Sequence, residues 1–168
     1  SKNKTSMASQ KKVLLDFTDK SQFVYGIYRL KTSVLAIFSK DEIINAIDHD
    51  CYIALDRTCF YAESGGQVAD TGMLLGKNFK ARVLDVFKGP NGQHIHKVKL
   101  LDGVIKIGDN CEAVIDKDRR KKIEANHSSV HILQYALQQV VSSNIKQAGS
   151  YVDDEKFRFD FTYSGKIS

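Results

Sequence analysis

Two histidines four residues apart, in His127-Ser128-Ser129-Val130-His131, carry the clearest chemical potential of this sequence. On a helix, positions i and i+4 share a face, so both imidazoles can turn toward one metal ion. Neutral imidazole is a good zinc ligand. A plainer reading stands beside it, with one histidine packed and one solvated, because a two-residue pattern arises easily by chance. The run lacks the glutamate of an HExxH helix, which argues against a metalloprotease. Ser128 and Ser129 have no activating base apart from these histidines and no orienting carboxylate in view, so nucleophilic serine chemistry has little support.

A second motif runs from Leu55 to Gly72, LDRTCFYAESGGQVADTG. The paired glycines Gly65 and Gly66 permit positive φ and a close backbone approach, either to a ligand or to another strand. Gln67 beside them offers a neutral hydrogen-bonding group. On physical grounds alone a tight hairpin with a bulge is the favoured reading, the glycines serving geometry. The third motif is basic. Lys117, Arg119, Arg120, Lys121 and Lys122 place five cations in six residues. They suit either phosphate contacts or a solvated helix face. His94 and His96 alternate on an expected strand and so face one side, with a metal pair the less favoured reading.

The elements that must hold these motifs differ along the chain. Residues 1–12 lack apolar periodicity and read as a flexible basic leader carrying Lys2, Lys4, Lys11 and Lys12. Residues 13–115 read as β-rich. Strands are predicted over 23–30, 33–38, 51–55, 80–87, 95–100 and 111–115, with 105–109 a strand running into a turn. Glycine-bearing turns separate many of them. Such spacing predicts a small barrel or sandwich. From about Asp116 the pattern becomes helical, with Ile123, Val130, Leu133, Leu137 and Val140 at spacings of three, four and seven. A helix is predicted from Asn126, or the turn before it, to about Ser143. Gly149-Ser150 breaks the pattern, and the alternation at Phe157, Phe159 and Phe161 predicts one strand.

Bulk properties narrow the classes. The chain has 168 residues, 42% hydrophobic and 27% charged, ordinary for a globular protein. No apolar run reaches the roughly 18 residues of a spanning helix, and residues 1–12 have no apolar core, which excludes a signal peptide there. A formal charge of +5 favours polyanionic partners without proving one. The three cysteines are odd in number and have no C-x-x-C, which points to reduced cytosolic thiols rather than a disulfide framework or thiolate zinc finger.

The whole second motif resembles LDRTPFYAESGGQVGDTG of the alanyl-tRNA synthetases and the related free-standing editing proteins. Cys59 stands where that family has proline, and Ala69 where it has glycine. Downstream, NHSSVHIL (126–133), KQAGS (146–150) and RFDF (158–161) resemble the family's NHTATHLL, QKGS-like and RFDF elements. FVYGIYRLKTSVLAI (23–37) resembles the entry into its barrel, which favours a synthetase over a free-standing editing protein. The resemblance implies a mainly β, translation-protein-like barrel over 13–115, then the start of an α+β editing domain over 116–168. It implies that the chain stops before a later Cys-x-x-x-His element.

What the resemblance implies about function is specific. His127 and His131 become zinc ligands of an editing site that hydrolyses tRNA(Ala) wrongly charged with serine or glycine. Gln147 is placed near the substrate, with Ser128 and Val130 candidate walls of its pocket. Val130 stands where the family has threonine, keeping the shape and losing the hydroxyl. Gly65, Gly66, Gln67, Arg119, Arg120, Lys121 and Lys122 become candidate tRNA contacts. The implied parent is a cytoplasmic alanine–tRNA ligase with no membrane association, whose ATP and Mg2+ belong to a separate catalytic domain. On this reading the segment alone is inactive. The alternatives are a complete trans-editing deacylase and a non-catalytic tRNA-binding barrel.

Overall fold

The computed structural model describes residues 12–140 and 146–162. Lys2, Lys4 and Lys11, and the expected helix end near Ser143, lie outside those residues. Within them the chain forms two compact units, one of 12–62 and 69–116, the other of 63–68, 117–140 and 146–162. Residues 63–68 lie inside the expected barrel segment by sequence, yet their contacts place them in the second unit.

The first unit contains eleven strands in chain order. They are β1 (Gln22–Phe23), β2 (Arg29–Ser39), β3 (Glu42–Ile44), β4 (Ala46–Ile47), β5 (Cys51–Leu55), β6 (Arg57–Thr58), β7 (Gly72–Gly76), β8 (Phe79–Lys88), β9 (His94–Gly103), β10 (Ile105–Lys106) and β11 (Asn110–Ile115). Six of them close a barrel in the order β11-β7-β8-β9-β5-β2, sealed by β2 pairing back to β11. Every pairing around the ring is antiparallel. Closure leaves the ring without an exposed edge. The expected barrel is therefore present, and closed.

Alternation selects the interior. In β8, residues Phe79, Ala81 and Val83 point in while Lys80, Arg82 and Leu84 point out. Ile37, Ile53, Leu55, Phe60, Leu74 and Val83 fill the lumen with essentially no exposure. Burying each of the larger ones contributes roughly 1.5–3 kcal/mol. Strand β5 reads as a continuous apolar run because its outer face is covered too. Ala36, Phe38, Ala54 and Ile95 form a second cluster with Phe17, which follows a helical turn over 12–16. Phe17 meets Phe38 edge-on, ring centroids 5.2 Å apart. Asn91 and Gln93 hold that segment by donating side-chain amides to the Phe17 carbonyl at 2.7 and 3.0 Å.

The strand expectations differ from the structure in several places, among them the short strands β3, β4 and β6, which no predicted run covers. The run 23–30 is not one strand, since Gly26 at φ +87° turns the chain between β1 and β2. Strand β2 instead takes in the last two residues of that run and the whole of 33–38. Strand β7 was not expected because glycines bracket its short apolar core; its place is set by pairing with β8 and β11.

His94 and His96 prove to be structural. Both are buried. Nδ1 of His94 donates to the Phe60 carbonyl at 2.9 Å, and Nδ1 of His96 donates to the Ile53 carbonyl at 3.0 Å. The Thr58 hydroxyl then donates to Nε2 of His96 at 2.8 Å and accepts from the Phe60 amide at 3.2 Å. This ties the chain leading into the glycine motif to the barrel wall. Cys51 and Cys111 are buried as well, and loss of solvation raises both thiols to about 12, which makes them unreactive.

The second unit consists of one helix, Lys117–Val140, and the hairpin β12 (Lys146–Val152) and β13 (Phe157–Thr162). Among the described residues no helix is long and apolar enough to cross a membrane.

Candidate functional site

The helix begins nine residues before Asn126. Asp116 immediately precedes it, a position where aspartate is favoured as a cap, and Asp118 lies in its first turn. The basic run therefore opens the helix instead of leading up to it. Ile123 and Val130, seven residues apart, are fully or nearly fully buried and cluster with Val152, with Val68 and Phe159 packed alongside. That stripe sets the rotation of the helix. His127 lies between the two and is half-buried; His131, one turn on, is exposed.

The imidazoles meet. Nε2 of His127 and Nε2 of His131 are 2.9 Å apart, with ring centroids at 4.6 Å and planes nearly perpendicular. Nδ1 of His127 is buried with no hydrogen-bond partner, an unusual state for a polar atom. Two nitrogens on one tetrahedral zinc, each about 2.0–2.1 Å from it, would sit about 3.3 Å apart. The pair thus fits two positions of such an ion after a small opening. Among the described residues no group of three or more His, Cys, Asp or Glu forms a metal cluster. The two imidazoles could supply two of the four donors of a tetrahedral ion.

The paired glycines form the turn of a tight hairpin. Ser64 and Gln67 exchange both backbone hydrogen bonds, at 3.2 and 3.0 Å, around Gly65 at φ +58° and Gly66 at φ +83°. Two successive positive φ values are those of a type I′ turn, which side chains resist. The turn then docks on β12. The Val152 amide donates to the Gly66 carbonyl at 2.8 Å, and the Val68 amide donates to the Val152 carbonyl at 3.1 Å. The tight hairpin expected of the glycines is present. Gln67 is half-buried in this junction.

The remaining candidates are dispersed. Ser128 is exposed, whereas Val130 is 3% exposed and packs in the core, away from the imidazole surface. Gln147 is exposed on β12 opposite Phe161, beside a bulge, and makes no hydrogen bond to either imidazole among the described residues. Of the basic run, Arg119 lies 3.6 Å from Asp154, and Arg120 is buried with Nη1 3.4 Å from Glu124. Lys121 and Lys122 stay exposed.

Asn126 has a role that the sequence reading missed. Its side-chain amide donates to the Asp153 carbonyl at 2.7 Å, pinning the helix to the turn of the hairpin next to His127. Its position at the head of the NHSSVH element was the available signal. Burial alone would raise the Asp153 carboxyl, but the Lys156 and Glu155 amides donate to it and hold it below its ordinary value. Tyr151 gives it a further hydrogen bond, and the same bond raises the phenol. Asn126→Ala is expected to cost about 1–2 kcal/mol, since it leaves the carbonyl unpaired. Urea unfolding measures this; an unchanged midpoint would show that the bond does not matter.

The family whose profile is described as "tRNA synthetases class II (A)" matches residues 1–119. The chain belongs to that family. Within it, the chain is 47% identical over 135 residues to an alanine–tRNA ligase of Mesoplasma florum, a match covering 80% of this chain and 15% of that protein. It is 40% identical over 165 residues to the alanine–tRNA ligase of Geobacillus thermodenitrificans, covering 96% of this chain and 19% of the relative. A third, from Bacillus cytotoxicus, is 41% identical over 165 residues. The chain thus spans less than a fifth of the length of these class II synthetases. The expected kinship with the alanyl-tRNA synthetases is borne out.

Proposed function

We propose that this chain is a segment of a cytoplasmic alanine–tRNA ligase that helps position tRNA(Ala) and supplies part of a hydrolytic editing centre for Ser- or Gly-tRNA(Ala). The observation carrying this reading is the convergence of the two imidazoles, 2.9 Å apart, on a helix locked against the glycine turn and the hairpin. Nε2 of His127 and of His131 would hold a zinc ion. Once bound, zinc would orient the misacylated end and favour attack of water on the ester. The chain's own residues supply the frame. Val130 and Ile123 fix the helix rotation, Asn126 fixes its axial position, and the Ser128 hydroxyl and Gln147 amide are the exposed polar groups offered to substrate. The ligase's ATP and Mg2+ belong to its aminoacylation domain.

Deacylation of Ser-tRNA(Ala) tests this, measured with zinc supplied. It is run on this chain and on a full-length alanine–tRNA ligase carrying the segment, each beside His127→Ala. The segment alone is expected to be inactive. In the full-length enzyme, deacylation should fall at least tenfold in the variant while aminoacylation persists. Deacylation surviving the substitution would favour the non-catalytic barrel. Zinc-dependent hydrolysis by the segment alone would show that no further ligands are needed.

A further inference from the structure

The outward faces of β8 and β9 carry Lys80, Arg82, Lys97 and Lys99, all exposed. Arg82 and Lys99 are direct cross-strand partners. Like charges placed opposite one another are unfavourable in a sheet. Among the described residues no ion pair reaches any of the four. The acids in register stand at the two ends, Asp102 opposite Lys80 and Asp85 opposite Lys97, so the centre is uncompensated. Arg82 also lines a surface recess of about 500 Å³ with Thr71, Met73 and Asp116.

Residues two apart on a strand are about 7 Å apart and neighbouring strands about 4.8 Å, so the four cations form a diagonal band, with Lys80 and Lys97 at opposite ends of the Arg82–Lys99 pair. We propose that this face of the barrel, centred on Arg82 and Lys99, is a contact surface for an RNA phosphate backbone. The inference rests on the ligase reading for the identity of the polyanion; the charge complementarity stands on the strand register. It also assigns a surface that the basic run at 117–122 leaves open, because Arg119 and Arg120 are engaged by acids of their own unit. The field of unpaired cations would draw phosphates in, and each contact would release counterions.

The test is tRNA binding by the whole chain, followed by fluorescence anisotropy across a salt series. Arg82→Gln/Lys99→Gln is compared with Lys20→Gln/Lys106→Gln, which removes the same charge elsewhere on the barrel unit. The first variant is expected to bind about tenfold more weakly, and its log–log salt slope to fall by roughly 1.5, as for two lost phosphate contacts. The control should keep the slope. Thermal unfolding provides a second readout, in which relief of the like-charge pair leaves the first variant at least as stable as the parent. Binding by the parent with equal slopes in both variants overturns the surface and leaves the ligase reading standing. Equal losses in both variants reduce it to net charge and overturn it too. No tRNA binding by the parent, even at low salt, overturns the surface and, with it, the tRNA-positioning part of the proposed function. An acidic protein partner would show itself as the first of these outcomes.

Discussion

Gly66→Ala is expected to destabilise the second unit by about 3 kcal/mol, while Gly65→Ala costs about 1 kcal/mol. Both residues hold positive φ, so each substitution carries the left-handed penalty of roughly 1–2 kcal/mol. Only Gly66 carries a second cost. A Cβ there would lie 2.0 Å from the Ser150 carbonyl oxygen and 2.8 Å from its carbon. Those are backbone atoms and cannot swing aside. The turn would have to lift from β12, straining the bonds that join Gly66, Val68 and Val152. Overpacking of this kind adds another 1–3 kcal/mol. At Gly65 nothing lies within 4 Å of the added carbon. Hydrogen exchange on β12, β13 and the helix separates the two cases. Equal, small effects would mean that the glycine turn is not wedged against the hairpin.

Acid should weaken the barrel in a window where carboxylates are still ionised. Complete burial lowers His96 from its ordinary 6.5 to about 4. The folded barrel therefore disfavours the imidazolium, while an unfolded chain accepts it. The His96 contribution is fully present above pH 6.5, declines as pH falls below that, and is gone below about 4. A shift of this size corresponds to about 3 kcal/mol. His94 is shifted in the same direction, again chiefly by burial. Urea midpoints measured from pH 7.5 to 5 should fall steadily. His96→Gln should start from a lower stability, having lost the Thr58 and Ile53 partners, and show a flatter dependence on pH. A parent midpoint constant across that range would contradict the buried neutral imidazole.

Periodicity carried the barrel. The predicted strands over 80–87, 95–100 and 111–115 fall on β8, β9 and β11, because a wall with one face in the lumen imposes a period of two on its own side chains, and 51–55 falls on β5, whose apolar run is continuous because both its faces are covered. The histidine pair was legible for a similar reason: i and i+4 on a helix meet whatever else the protein does, and the imidazoles do meet. The basic start of the helix was misjudged because charged residues give no apolar period to mark a first turn, and only Asp116 signalled it.

Other features depended on contacts distant in sequence. Strand β12 runs through Gly149, which reads as a breaker, and exists through its pairing with β13 and its junction with the glycine turn. Ser64 to Val68 belong with residues more than 80 positions later, and no local pattern records that. The resemblance makes Val130 a pocket wall and Arg120 a tRNA contact; the fold buries both, Val130 against Val152 and Val68 across the unit and Arg120 with its guanidinium beside Glu124. What the sequence by itself determined was the short-range geometry: strand alternation, the histidine pair and a turn only glycines allow. Which of those residues became core, ion pair or open surface was decided by tertiary packing, because burial is a property of the partner that covers a side chain and not of the side chain alone.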